Sequence, residues 1–238
     1  MREGAWDRDD VSDWPVRRVE QVGSTENLWL LDPSTDEEWL HKDTVIPANG
    51  IEQGEDWAEI VSSRVASELG VPCASTRLCS RQGRRGSLSL SVIPEGHDLW
   101  EGPVVLEAAD VPGYFRHVEG EPGIDPERPD VRRPGHNLIN IRSALADVGS
   151  PLGFEGPPAL TAFDVFSGYL VLDALIANRD RHEQNWAILA PRVNDARDVL
   201  APSYDHASSL GYNLMDERRE TYLAAPETLR GWAEKGTA

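Results

Sequence analysis

Lysine is almost missing from this chain. Of its 23 basic residues only Lys42 and Lys235 are lysines, and the rest are arginine. Arginine therefore stands wherever any positive charge will do. A lysine marks a place that needs a compact point charge on a slim stem, such as a phosphate in a tight cleft. Lys42 sits in the apolar, strand-like segment Trp39-Leu40-His41-Lys42, whereas Lys235 lies near the C-terminus. Positive charge of either kind is scarce, with 41 acidic residues, a net charge of -18 and a pI of about 4.6. That balance argues against non-specific binding to nucleic acid or to an anionic membrane. It leaves room for an anionic small ligand held by a local site. Long apolar runs are also lacking, so no segment is expected to span a bilayer. Residues 1–7 carry no apolar core of a signal peptide, and the expected location is the cytosol. Cysteine is limited to Cys73 and Cys79. On one strand these two would share a face but lie too far apart to bridge, so a buried reduced pair is expected, with neither a disulfide framework nor a zinc site.

What is present is enough for a sizeable core: 238 residues, 39% of them hydrophobic, fit one large domain or two small lobes. Residues 1–20 are charged and show no periodicity, and read as an irregular lead-in. Gly23-Ser24-Thr25-Glu26-Asn27 reads as a tight turn entering an apolar strand, Leu28 to Leu31. Asp32 to Asp36 turns the chain, and Glu38 to Lys42 returns as a second strand of a hairpin. Asp56 to Leu69 carries apolar residues at helical spacing and is stopped by Gly70 and Pro72. Cys73 to Leu78 and Ser87 to Ile93 read as two more strands. Pro94-Glu95-Gly96 breaks the pattern and reads as a hinge, and residues 112–136 read as a surface loop. Asn137 to Asp147 reads as a short helix. The longest apolar helical pattern, Ala159 to Ala177, has Phe163, Phe166, Leu170 and Leu175 among its expected inward residues.

That helix delivers the chain to Asn178-Arg179-Asp180-Arg181-His182-Glu183-Gln184-Asn185, and an apolar strand, Trp186 to Leu189, follows. Asp180, His182 and Asn185 thus share one polar loop, and Asp205 closes another apolar stretch 20 residues beyond Asn185. Asn185 and Asp205 supply oxygen ligands that suit Mg²⁺, which completes its shell with water and substrate phosphates. A further acid beside them can take a proton from an attacking hydroxyl. Phosphoryl transfer needs this set, together with a lysine on the phosphates.

Asp180-Arg181-His182-Glu183-Gln184-Asn185 resembles the D-R-H-x-x-N catalytic loop of the HipA-like kinases and of the phosphoinositide-kinase-like superfamily. The flanks, Leu175-Ile176-Ala177-Asn178-Arg179 before and Leu200-Ala201-Pro202-Ser203-Tyr204-Asp205-His206-Ala207-Ser208-Ser209-Leu210-Gly211 after, favour the HipA-like family. The resemblance covers roughly residues 20–225 and is strongest over 170–211. It implies Asp180 as the hydroxyl-orienting acid, with His182 as the motif histidine that supports the loop. It implies Asn185 and Asp205 as Mg²⁺ ligands and Lys42 as the phosphate-binding lysine. By the same resemblance Glu59 is the helix acid that pairs with Lys42, with Glu68 as the alternative because it lies nearer the apolar stripe. Gly23, Ser24 and Thr25 would form the loop that covers the phosphates of ATP.

The expected fold is α+β and bilobal, kinase-like: residues 1–93 a mainly β lobe with one helix, residues 94–238 a hinge and a mainly helical lobe. The expected activity is ATP- and Mg²⁺-dependent phosphoryl transfer to a serine or threonine of a protein. An antitoxin or other regulatory protein is a further expected partner, as some HipA-like kinases are toxins of toxin–antitoxin pairs. Three readings compete with it: a small-molecule or lipid kinase, a nucleotidyl transferase on the same fold, and a nucleotide-binding scaffold with little catalysis.

Overall fold

Strand β4 (Glu38–Asp43) shows how the alternation of the sequence builds the first sheet. Trp39 and His41 are buried on one face, while Leu40 and Lys42 lie on the other and line a cleft. β4 is antiparallel to β3 (Thr25–Leu31) through pairs such as Leu28 with His41, and to β6 (Arg84–Leu90), where Lys42 pairs with Ser87. The computed structural model describes residues 6–22, 25–116, 124–131, 133–193 and 196–233. With β1 (Asp9–Asp10), β2 (Val16–Val22) and β5 (Thr76–Arg81), these strands form a six-stranded sheet in the order β1-β5-β6-β4-β3-β2. Only the short β1–β5 pairing is parallel among the described strands.

The stretch expected to be an irregular lead-in therefore contributes two strands. β2 is an edge strand whose Val16 and Val19 are exposed, so it carries no apolar alternation to betray it. One face of the sheet closes over Val11, Leu30, Trp39, Cys79 and Leu88. Gly23 and Ser24, which follow β2 in sequence, lie outside the described residues. Thr25 opens β3, opposite Val22.

Helix α1 (Glu55–Glu68) packs on β5 and β6. Its first turn is anchored by Asp56, which is fully buried and held by Arg85 at 2.8 Å and by Arg8. Cys73 then pairs in a bridge with Ser203, and Ala74 N donates to Ser203 O at 2.9 Å. This stitch joins the end of the α1 connection to the segment that carries Asp205.

The second sheet is small: β7 (His97–Glu101), β8 (Ala187–Pro191) and β9 (Val199–Leu200), all antiparallel, in that order. Around it lie α2 (Gly102–Ala108), α3 (Leu138–Ala144) and α4 (Ala162–Ile176). Neither β7 nor α2 was anticipated. The largest core cluster gathers Leu106, Ile141, Leu145, Phe166, Tyr169, Trp186 and Leu200 from these elements and the residues that flank them. α4 starts at a capping box between Thr161 and Asp164. Its buried face runs through Val165, Phe166, Tyr169, Leu172, Asp173 and Ile176, while Leu175, expected inward, is exposed because its spacing falls off that stripe. The chain closes with α5 (Asp216–Ala224) and α6 (Pro226–Ala233). No described helix is long and apolar enough to cross a membrane.

Candidate active site

α4 ends because Ala177 turns to a left-handed φ of 52°. Asn178 then folds back, its Nδ2 donating to Asp173 Oδ1 at 2.8 Å and its backbone N to Asp173 O at 2.8 Å. Asp173 also clamps Arg181 through two contacts, Nε to Oδ2 at 2.7 Å and Nη2 to Oδ1 at 2.8 Å. Arg181 reaches on to Ser203 Oγ at 3.0 Å and to the backbone oxygens of Asn185 and Tyr204. One buried guanidinium thereby ties α4, the 178–185 loop and the 203–205 segment together. Its forked geometry is what permits so many fixed contacts. The sequence reading missed this knot. Its signal was an Asp inside an otherwise apolar helix, which must be partnered if buried.

Within the loop, Asn185 Nδ2 donates to Asp180 O at 2.7 Å, which leaves its side-chain oxygen as the atom able to take a ligand. His182 accepts from Gln184 N through Nδ1 at 3.2 Å, so Nε2 carries the proton and faces Asp180 Oδ1 at 3.8 Å. Burial lowers the His182 pKa, with Arg133 and Arg181 adding to the shift and Asp180 and Asp205 opposing it. The Asp180 carboxylate is about half exposed.

A cavity of about 330 Å³ lies between the cleft face of the first sheet and this loop. Leu40, Leu90, Val92, Ile93 and Leu99 give it an apolar part; Lys42, Asp180, His182, Asn185 and Asp205 give it a polar one. Lys42 Nζ donates to Asp205 Oδ1 at 2.7 Å across 163 positions of sequence. Burial alone would raise the Asp205 pKa, but Lys42, His206 and His182 outweigh it and hold the carboxyl below its usual range. Burial likewise opposes the charge on Lys42, and Asp205 overrides it, so the lysine pKa is raised. Both members of the pair are ionised at neutral pH.

Glu59 also lines the cavity and adds to the field that raises the Lys42 pKa, but its hydrogen bond goes to His206, not to Lys42. Glu59 Oε2 accepts from His206 N at 2.6 Å, and Oε1 lies 3.7 Å from His206 Nδ1. The helix acid thus grips the residue that follows Asp205. Glu68, the alternative, is exposed on the last turn of α1. Glu20 and Glu101, which sequence reading did not single out, also line the cavity.

Among the described residues no group of three or more His, Cys, Asp or Glu is placed to hold a metal ion. The donors that exist are one amide oxygen and one carboxylate. They fit a hard cation that keeps several waters and takes the rest of its shell from a phosphorylated ligand, as Mg²⁺ does, and they do not fit zinc.

Solved structures decide the fold. The chain is similar to the Helicobacter pylori proinflammatory kinase CtkA at 18% identity and a TM-score of 0.68, over 94% of this chain and 68% of that one. It is similar also to HipA in the Shewanella oneidensis MR-1 toxin–antitoxin complex of HipA, HipB and operator DNA, at 15% identity and a TM-score of 0.50, over 86% of this chain and 46% of that one. The fold is that of the HipA-like kinases. The chain spans about two thirds of the one neighbour and under half of the other. No family model and no curated protein matches the chain.

Proposed function

We propose that the protein is an ATP-dependent phosphotransferase, a HipA-like protein kinase that moves the γ-phosphoryl group of ATP to a serine or threonine hydroxyl. The observation that carries this reading is the convergence of Lys42, Asp180, Asn185 and Asp205, from distant parts of the chain, on one cleft with an apolar wall. The reading takes residues 1–93 and 94–238 as two lobes with the nucleotide between them. The purine lies against Leu40, Leu90, Val92 and Ile93, and the phosphates extend toward Lys42. Gly23, Ser24 and Thr25 belong in this reading over the phosphates.

Asn185 and Asp205 would hold Mg²⁺, which supplies neutralisation of phosphate charge when bound. The chain does the positioning. Lys42 binds phosphate oxygen and holds Asp205 ionised. Glu59, through His206, fixes the backbone that carries Asp205. Asp180 orients the acceptor hydroxyl and takes its proton. The acceptor oxygen bonds to the γ-phosphorus, the bond from that phosphorus to the β–γ bridging oxygen breaks, and ADP leaves. Aligning the reactants and burying their charge account for the rate.

The HipA neighbour was solved in complex with HipB and operator DNA. For this chain a regulatory protein partner is the corresponding proposal, and a net charge of -18 favours a protein surface over nucleic acid. The proposed compartment is the cytoplasm. Asp180→Ala tests the reading: ATP turnover is expected to fall by about 10²- to 10⁴-fold while ATP binding by calorimetry persists. Turnover equal to that of the unsubstituted protein would remove Asp180 from the chemistry.

A further inference from the structure

Asp180 lines two cavities. The second, of about 320 Å³, shares only Asp180 with the lining of the nucleotide cleft. Its other walls include Arg179, Ser208, Tyr212 and Asn213, so its surface is hydroxyl, amide and guanidinium, with no carboxylate besides Asp180. The walls are fastened to the rest of the fold: Leu210 N donates to Ile176 O at 2.8 Å, Tyr212 N to Ser209 O at 3.0 Å, and Gly54 N to Tyr212 O at 3.0 Å. The volume is near the lower end for ligand pockets, which run from about 300 to 1,000 Å³.

Arg179 distinguishes this cavity. Arg181, two residues on, is buried and committed to Asp173. Arg179 is exposed and has no ion-pair or hydrogen-bond partner among the described residues. In a chain with 41 acidic residues against 23 basic ones, an uncommitted guanidinium beside the hydroxyl-orienting acid sets the local charge against the global one. Its forked donors match carboxylate and phosphate oxygens.

We propose that this second cavity receives the acceptor segment of the protein substrate, and that Arg179 selects a serine or threonine with an anionic side chain close by. The inference rests on the phosphotransferase reading and names its substrate class. The hydroxyl would sit over Asp180, facing the nucleotide, while its anionic neighbour meets Arg179. No bond is made or broken beyond those of the phosphoryl transfer already described.

The test uses serine peptides identical except for one residue, placed within two positions on either side of the serine and set to Glu, phosphoserine, Ala or Lys. With Mg²⁺ and ATP, the unsubstituted protein is expected to prefer an anionic peptide over the Ala peptide by about fivefold in kcat/KM, carried by KM, at one position at least. The Glu and phosphoserine arms show which anion is read. Arg179→Lys should retain the preference, and Arg179→Glu should reverse it toward the Lys peptide. Because selectivity is a ratio, a partly impaired variant still reports it. No anionic preference at any position, an unchanged preference in Arg179→Glu, or ATP hydrolysis with no peptide phosphorylated would each overturn the inference. ATP binding by the unsubstituted protein is measured alongside; its absence would instead overturn the phosphotransferase reading on which the inference stands.

Discussion

At His206 two opposing effects meet in one ring. Burial disfavours the imidazolium, yet Cys73, at 3.9 Å from Nδ1, and Glu59 raise its pKa to about 10 from 6.5. Ser203 Oγ lies 2.8 Å from Nε2, so both ring nitrogens are engaged. A histidine pKa raised on folding adds stability that is fully present below about 6.5 and is lost as pH rises through about 10. His206→Gln should therefore cost stability on the order of a few kcal/mol at pH 6 and progressively less toward pH 10. Urea unfolding of both proteins at pH 6, 8 and 10 measures it; a cost that stays constant would mean that folding does not raise the pKa of the ring. Sequence spacing held no sign of this couple, because Glu59 and His206 meet across 147 positions.

Among the elements, β4 is the one on which the site depends most, since its register sets where Lys42 points. Across from it, Gly86 has no room for a side chain: a Cβ there would meet Lys42 O at 2.5 Å and His41 Nε2 at 3.1 Å. Gly86→Ala should push β6 from β4, costing about 1–3 kcal/mol by overpacking, and should weaken ATP binding at the same time. Denaturation midpoints and ATP affinity, measured together, check the link. Stability lost with affinity intact would mean that Lys42 is positioned independently of this pairing. The β3–β4 hairpin was legible because it alternates, and α4 because its apolar run is long. α1 was legible as a helix, but its buried face runs through Asp56, Ala58, Glu59, Ile60, Ser62, Ser63 and Ala66, while Leu69 of the expected stripe is exposed. β2 and β7 were not, since residues 16–20 of β2 are exposed and β7 buries no apolar face. In β7 the alternation is only between half-buried and exposed positions.

For the whole molecule, the decisive feature is a cleft closed in part by the Lys42–Asp205 ion pair between the six-stranded sheet and the 203–205 segment. A ligand that binds only the folded chain stabilises it by mass action, about 2.7 kcal/mol at a hundredfold excess over Kd. For a chain of this size that raises Tm by roughly 5–10 °C. Mg²⁺ with ATP should produce such a shift in the unsubstituted protein, and EDTA should reduce it. Asp205→Ala should lose most of it. A shift of the same size in Asp205→Ala would remove that residue from the binding of the metal and its phosphates.

Sequence alone determined the local chemistry: a polar loop carrying Asp180, His182 and Asn185 between a buried helix and a strand, a lone lysine in an apolar strand, and an acid at 205. These are short-range patterns, written in spacing and in the periods of helix and strand. Only the tertiary structure decided that Lys42 meets Asp205, that Glu59 turns to His206, that Arg181 knots three segments through Asp173, and that Asp180 lines a second cavity as well. Each of those facts depends on where a side chain points once distant segments have packed. Pairing between such segments is set by the shape and burial of the whole core, which no local window contains.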